Sequence, residues 1–139
     1  MPHIFTYGSL MYPQIMERVC GLHLMSRPAT LHHFRRSRLH NLDYPGIFAL
    51  KDAHVPGILY LDLPTPALRR LDDFEGDQYV RLEVEVEVDD GQYISAMTYV
   101  LQAHCQTLIT GEEWDFAAFL SSGKDRFINT YIGFGRLPE

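Results

Sequence analysis

The chain has 139 residues and only two cysteines, Cys20 and Cys105, set far apart with no CxxC spacing. That spacing forms no zinc site and favours buried thiols in a reducing compartment over a disulfide framework. Long apolar runs are also missing. No stretch approaches the ~20 residues that span a bilayer as a helix. Met1 to Gly8 carries neither a basic leader nor an apolar run of signal-peptide length. The expectation is a cytoplasmic protein with no membrane partner. Basic residues are in deficit, 12 Lys and Arg against 18 Asp and Glu, for a formal charge of −6. Such a chain repels nucleic acid unless its cations cluster. The visible cluster, Arg35, Arg36 and Arg38, is short and set beside Leu31 and Phe34, so no nucleic-acid partner is expected.

What is present is an ordinary globular composition, 46% hydrophobic and 22% charged. That apolar fraction is enough to offset the entropy of ordering, which excludes intrinsic disorder. At this length the chain is expected to form a single domain, residues 1 to 139.

The pattern along the chain is α+β, with sequential antiparallel strands rather than regular βαβ alternation. His3 to Tyr7 is a short strand stopped by Gly8. Pro13 starts a helix running to Val19, with Gly21 marking its end. Ala29 to Leu39 is expected to be a strand riding partly on the surface. Tyr44-Pro45-Gly46 is a turn, Ile47 to Leu50 a short extended piece, and Val55 to Leu63 a buried strand. Thr65-Pro66 opens a helix that puts Leu68, Leu71 and Phe74 near helical spacing and runs into Glu75-Gly76-Asp77. Tyr79 to Val88 alternates strictly, with Val80, Leu82, Val84, Val86 and Val88 on one face. Asp89-Asp90-Gly91 turns the chain into a partner strand, Tyr93 to Leu101. Glu112 to Ile132 reads as two short helices broken at Gly123.

Three features carry chemistry. Tyr7-Gly8-Ser9-Leu10 ends a strand in a glycine, where successive backbone N–H groups converge into a concavity for a carboxylate or oxyanion. A plain strand-ending turn with a buried tyrosine is the competing reading. Glu75 lies between Phe74 and Gly76 at the end of an apolar helix. Partial desolvation would raise its pKa above roughly 4.3 and make it a usable base, with Asp72, Asp73 and Asp77 adding like-charge repulsion. A solvated acidic helix end is the alternative. The third feature is a spread of tyrosines (Tyr7, Tyr44, Tyr60, Tyr79, Tyr93, Tyr99, Tyr131), several at strand ends, where hydroxyls line polar cavities or simply satisfy themselves.

Other chemistries lack their residues. Ser9 is not in a GxSxG context. The histidines show no HExxH or HxxEH spacing, and adjacent His32 and His33 would diverge on a strand, so no metal is expected. His104 and Cys105 diverge for the same reason. Neither a P-loop nor GxGxxG is present, and no cofactor is expected.

Taken together, these residues resemble the gamma-glutamyl cyclotransferase-like family. Tyr7-Gly8-Ser9-Leu10 after the first strand matches its YGSL signature. Tyr44-Pro45-Gly46-Ile47 is similar to its YP turn, and Val55-Pro56-Gly57-Ile58-Leu59-Tyr60 to its V-x-G-x-L-Y strand. Leu71-Asp72-Asp73-Phe74-Glu75-Gly76, followed by Tyr79 and Arg81, resembles the LDxFEG…YxR segment around the family's catalytic glutamate. Trp114-Asp115-Phe116 resembles the plant avirulence-induced branch and its bacterial relatives.

The resemblance implies a small mixed β-barrel with flanking helices and a metal-free reaction on a small γ-glutamyl substrate. The α-amino nitrogen of that substrate attacks its own γ-carbonyl, releasing 5-oxoproline and an amine or amino acid. By analogy Glu75 is the catalytic base, Gly8, Ser9 and Leu10 hold a carboxylate or oxyanion, and Tyr7 and Tyr79 line the substrate cavity. The loop Met11-Tyr12-Pro13 has no Lys or Arg to meet a second carboxylate, which leaves the leaving group open. Two other functions fit the same residues: a non-catalytic module that binds a small carboxylated metabolite, and an enzyme of this fold acting on a different acyl or amide substrate.

Overall fold

The computed structural model describes residues 1–89 and 91–133, with side chains through Ile128. Its strands are β1 (Ile4–Thr6), β2 (Ser26–Arg38), β3 (Pro45–Tyr60), β4 (Tyr79–Asp89) and β5 (Gln92–Leu101). They close into a barrel in the order β1-β3-β2-β4-β5. β2–β3 and β4–β5 are antiparallel hairpins, and β1 is antiparallel to β3. Closure is parallel and brief: Ile4 pairs with Met97, and Met97 N–H donates to the His3 carbonyl at 2.8 Å. The barrel is therefore mixed, as the resemblance implies.

The alternation of β1 sorts its residues between two layers. Phe5 and Tyr7 join Leu31, Ile47, Val55, Leu59, Val86 and Ala96 in one core cluster. Ile4 joins the second, where the strands meet the helices through Ile15, Met16, Leu63, Leu71, Phe74 and Tyr60. Gly57 is required where β1 crosses β3. A Cβ there would lie 2.1 Å from the Thr6 carbonyl oxygen and 2.7 Å from the Phe5 ring.

Two expectations about β3 need correction. The turn Tyr44–Gly46 and the separate pieces Ile47–Leu50 and Val55–Leu63 are replaced by a single strand from Pro45 to Tyr60. Pro45 and Gly46 already pair with Arg38 and Ser37 of β2. Proline is tolerated there because it is the strand's first residue. The local breaker signals between the two pieces are absorbed by a bulge. His33 and Asp52 both take left-handed φ values, 66° and 67°, and Asp52 N–H donates to His33 Nδ1 at 3.2 Å. The long β2 ladder carries the pairing past the irregularity. The strand ends at Tyr60, short of Leu63, and Asp62 follows with φ 55°.

Along β4 the apolar row is not uniformly covered. Val86 is fully buried, whereas Val80 and Leu82 are 40% and 42% exposed. The start of the strand turns its other row, led by buried Tyr79, toward the helical layer, and the barrel core begins only near Val84.

Helix α1 (Pro13–Cys20) starts on proline and ends at Gly21, whose φ is 80°. Helix α2 (Thr65–Glu75) has Pro66 in its first turn and buries Ala67, Leu71 and Phe74. The C-terminal helices are α3 (Phe116–Ala118), capped by the Asp115 carboxylate, and α4 (Lys124–Gly133). Between them Phe119–Gly123 is a π-helical turn. Two helices are thus present as expected, joined by a widened turn that Gly123 closes, and Glu112 to Trp114 lie outside them. Asp90 of the expected hairpin turn and the side chain of Tyr131 lie outside the described residues. Among the described residues no helix is long and apolar enough to cross a membrane.

Candidate active site

β1 delivers Tyr7 and Gly8 to one end of the barrel, where the chain enters a 3-10 turn, Ser9–Met11. The turn is closed by Met11 N–H donating to Gly8 O at 3.0 Å and Tyr12 N–H donating to Ser9 O at 3.1 Å. The N–H groups of Gly8, Ser9 and Leu10 precede the first closing bond and are not consumed by it. Two side chains pin the loop. Buried Arg36 donates from Nη1 to the Tyr7 carbonyl at 2.9 Å, and the Tyr60 hydroxyl donates to the Leu10 carbonyl at 2.9 Å. Arg36 is fixed in turn by an ion pair with Glu113 at 2.9 Å and lies over the Trp114 ring. In the sequence Arg36 stands out only as one of a short cationic cluster, Arg35, Arg36 and Arg38. Its long-range partners, reached across the barrel, leave no local signature.

Three tyrosines wall the space beside this loop, each with its proton committed. Tyr7 donates to the Tyr99 carbonyl at 2.6 Å, Tyr79 donates to the Pro45 carbonyl at 2.6 Å, and Tyr99 donates to Asp72 Oδ1 at 2.7 Å. Burial pushes the Tyr7 hydroxyl well above its ordinary pKa, the negative charge of Glu75 adds to this, and Arg36 opposes it. Tyr99 is likewise raised, first by burial, then by its hydrogen bond to Asp72 and the charges of Asp72 and Glu75, against Arg81. Both phenols stay neutral at physiological pH. Their hydroxyl oxygens retain lone pairs for a donor in the cavity.

Glu75 is the last residue of α2. It is half-buried, follows buried Phe74 and precedes Gly76, whose φ of 67° and ψ of −153° only glycine adopts readily. The acidic run around it divides. Asp73 and Asp77 face solvent, while Asp72 is taken up by Tyr99 and by Arg81 Nε at 3.4 Å.

A narrow cavity of about 40 Å³ unites these groups; Tyr7, Gly8, Ser9, Leu10, Glu75 and Tyr79 all line it. So do Tyr44, Pro45, Phe74, Tyr99 and Phe127. Of these, Tyr44 was visible in the sequence in the Tyr-Pro-Gly segment, and Tyr99 only as a member of the tyrosine spread. Phe127 reaches the site from α4, and nothing local in the sequence indicates that. The cavity can hold a small polar molecule among the Glu75 side chain, the tyrosines and the Gly8–Leu10 segment. Among the described residues no group of three or more His, Cys, Asp or Glu is placed to hold a metal ion. His32 Nε2 instead meets Glu87 Oε1 at 2.8 Å, away from the cavity lining. Cys20 and Cys105 are free and buried.

The family model for gamma-glutamyl cyclotransferase, AIG2-like, matches residues 4–116. Protein AIG2 C of Arabidopsis thaliana is 28% identical over 130 residues, covering 93% of this chain and 78% of its own. AIG2-like protein B of the same plant is 31% identical, covering 93% of this chain and 75% of its own. Among solved structures, a solution structure of an Arabidopsis thaliana protein has a TM-score of 0.72 at 27% identity, covering 96% of this chain and 81% of its own. A structure described as gamma-glutamyl cyclotransferase has a TM-score of 0.65 at 21% identity, covering 73% and 66%, a likeness of fold.

Proposed function

Since the chain belongs to the gamma-glutamyl cyclotransferase, AIG2-like family, we propose that it cyclises the γ-glutamyl group of a small amine or peptide conjugate. The products are 5-oxoproline and the free amine. The observation that carries this reading is that a half-buried glutamate, Glu75, and the Gly8–Leu10 loop line one cavity.

The nucleophile is already inside the substrate, so the protein has two tasks: to fold the γ-glutamyl chain into a ring-closing pose and to move two protons from the attacking nitrogen to the leaving one. The α-ammonium enters a space lined by acceptors, the Glu75 carboxylate and the lone pairs of Tyr7. Glu75 takes the ammonium proton, and the freed amine forms a bond to the γ-carbonyl carbon. The N–H groups of Gly8, Ser9 and Leu10 serve the glutamyl carboxylate or the negative oxygen of the tetrahedral intermediate. As the amide C–N bond breaks, Glu75 returns its proton to the leaving nitrogen; the second proton of the ring nitrogen then passes through the regenerated carboxylate to the freed amine, which departs as its ammonium. The tyrosines act chiefly as walls, since the protons of Tyr7 and Tyr79 already serve backbone carbonyls and that of Tyr99 serves Asp72. The cavity is narrow as it stands, so entry of a γ-glutamyl group requires its aromatic walls to turn aside.

The test is incubation of the purified protein with γ-glutamyl amino acids, γ-glutamyl-ε-lysine and glutathione, reading 5-oxoproline by mass spectrometry, with Glu75→Gln alongside. Product from wild type and none from a folded Glu75→Gln supports the reading. Saturable thermal stabilisation without product would reassign the cavity to binding, and an unfolded variant would make Glu75 structural.

A further inference from the structure

Beside the cavity, the start of β4, the end of β5 and the last turn of α2 frame a second recess of about 320 Å³. It is lined by Asp72, Gly76, Tyr79, Arg81 and Tyr99. Tyr79 and Tyr99 also line the cavity that holds Glu75, so the two spaces share walls. The register explains the grouping. Arg81 stands opposite Tyr99 in the β4–β5 pair and two residues beyond Tyr79, which puts the three side chains on one face of the sheet. Asp72 precedes Glu75 by three residues on α2, so the two carboxylates lie on neighbouring positions of one helical side.

The charges in the recess are unequally engaged. Asp72 Oδ1 accepts from the Tyr99 hydroxyl at 2.7 Å and faces Arg81 Nε at 3.4 Å. Among the described residues the Arg81 guanidinium makes no other ion pair or hydrogen bond, and its side chain is 30% exposed. Its Nε is thereby anchored while both terminal nitrogens remain for a ligand. A guanidinium held in this way presents a planar fork that matches a carboxylate. It offers nothing to an uncharged alkyl chain. Asp72 also fixes Tyr99, whose carbonyl holds the Tyr7 hydroxyl, so the recess and the cavity are built on the same contacts.

We infer that this recess receives the leaving group of the cyclisation, and that Arg81 selects leaving groups that carry a carboxylate, an amino acid or short peptide rather than a simple alkylamine. The inference rests on the cyclotransferase reading above and names the substrate class of that site. Arg81 supplies the cation that the Met11-Tyr12-Pro13 loop lacks.

A matched pair of substrates tests it: γ-glutamyl-alanine and γ-glutamyl-ethylamine, which differ by the carboxylate of the leaving group. The ratio of their kcat/KM values is measured for wild type, Arg81→Gln and Arg81→Lys, with melting temperatures alongside. Wild type is expected to favour γ-glutamyl-alanine by about 10-fold or more, the scale of one charge-assisted contact. Arg81→Gln should bring the ratio near unity, chiefly through KM for γ-glutamyl-alanine. Arg81→Lys, which keeps the charge but not the fork, should fall between and serves if the Gln variant does not fold. A wild-type ratio near unity, or a ratio unmoved in both variants, overturns the inference while leaving the cyclotransferase reading intact. Absence of 5-oxoproline from wild type with either compound overturns that reading and this inference with it.

Discussion

Pro45 packs so closely on Gly8 that a Cβ at position 8 would lie 2.7 Å from Pro45 Cδ and 2.9 Å from Cγ. The contact joins two motifs that are 37 residues apart in sequence, the strand-ending glycine and the Tyr-Pro-Gly segment. The Pro45 carbonyl in turn accepts from the Tyr79 hydroxyl at 2.6 Å. Gly8 is therefore required by proximity, and its φ of −128° asks for no special freedom. Because Pro45 is rigid and already tied to β2 at Arg38, the loop must move if position 8 gains a methyl. Gly8→Ala is expected to cost about 1–3 kcal/mol, the usual range for overpacking. A urea titration reads the stability and the 5-oxoproline assay reads turnover. Turnover should fall by more than the loss of folded protein explains, because Ser9 and Leu10 move with the loop. Unchanged stability and turnover would show that Pro45 yields.

The relation between Gly8 and Pro45 also shows what a sequence can disclose. Tyr7-Gly8-Ser9-Leu10 and Phe74-Glu75-Gly76 were legible because each is a local pattern, a strand or helix ending at a glycine. Strands β4 and β5 were legible from period-two alternation across a short turn. The continuity of β3 was not. Proline, glycine and Asp52 all signal breaks locally, and only the partner ladder of β2 overrides them. The role of Arg36 was not legible for a related reason. Its immediate neighbours Arg35 and Ser37 are polar, while its partners, Tyr7, Glu113 and Trp114, arrive from distant parts of the chain. Tyr99 and Phe127 join the cavity only through tertiary packing.

The raised tyrosines set an alkaline limit on stability. Tyr99 holds its proton in the native state beyond the pH, about 10, at which an unfolded tyrosine releases it. Above that pH the unfolded chain binds fewer protons than the native one, so stability is full below about pH 10 and declines as pH rises. Tyr7 and Tyr60, also raised by burial, act in the same direction. Tyr99→Phe should make the alkaline decline shallower, by up to about 1.4 kcal/mol per pH unit for one proton. At neutral pH it should cost about 1 kcal/mol for the lost bond to Asp72. Urea midpoints of both proteins between pH 7 and 11 decide the matter; parallel curves would show that Tyr99 does not control the limit.

Both cysteines should be silent in the native protein. Cys20 is buried, its thiol is pushed up to about 11 chiefly by burial, and Arg70 only partly opposes this. Cys105 is buried in the same core cluster. Since the thiolate is the reactive form, a thiol reagent at pH 8 should label neither residue rapidly, and both after denaturation. Rapid native labelling at either site would mean that the packing of α1 or of the segment around Cys105 opens readily.

Arg36 carries the last and most discriminating expectation. Its guanidinium ties the Tyr7 carbonyl to Glu113 and stacks on Trp114, whose Nε1 donates to the Asp43 carbonyl at 2.8 Å. It thereby couples the loop that begins at Gly8 to the segment leading into α3. Arg36→Met keeps most of the apolar stem but leaves the Tyr7 carbonyl without this donor, at an expected cost of about 1–3 kcal/mol. Arg36→Lys keeps the charge and loses the planar contact with Trp114, so it should restore only part of the stability. The two variants separate a positioning role from a purely structural one. If Arg36 positions the loop, kcat falls in Arg36→Lys even where the protein is fully folded, because the Ser9 and Leu10 N–H groups shift relative to Glu75. If Arg36 only stabilises the barrel, folded Arg36→Lys turns over at the wild-type rate, and the coupling between the loop and the C-terminal segment has no part in catalysis.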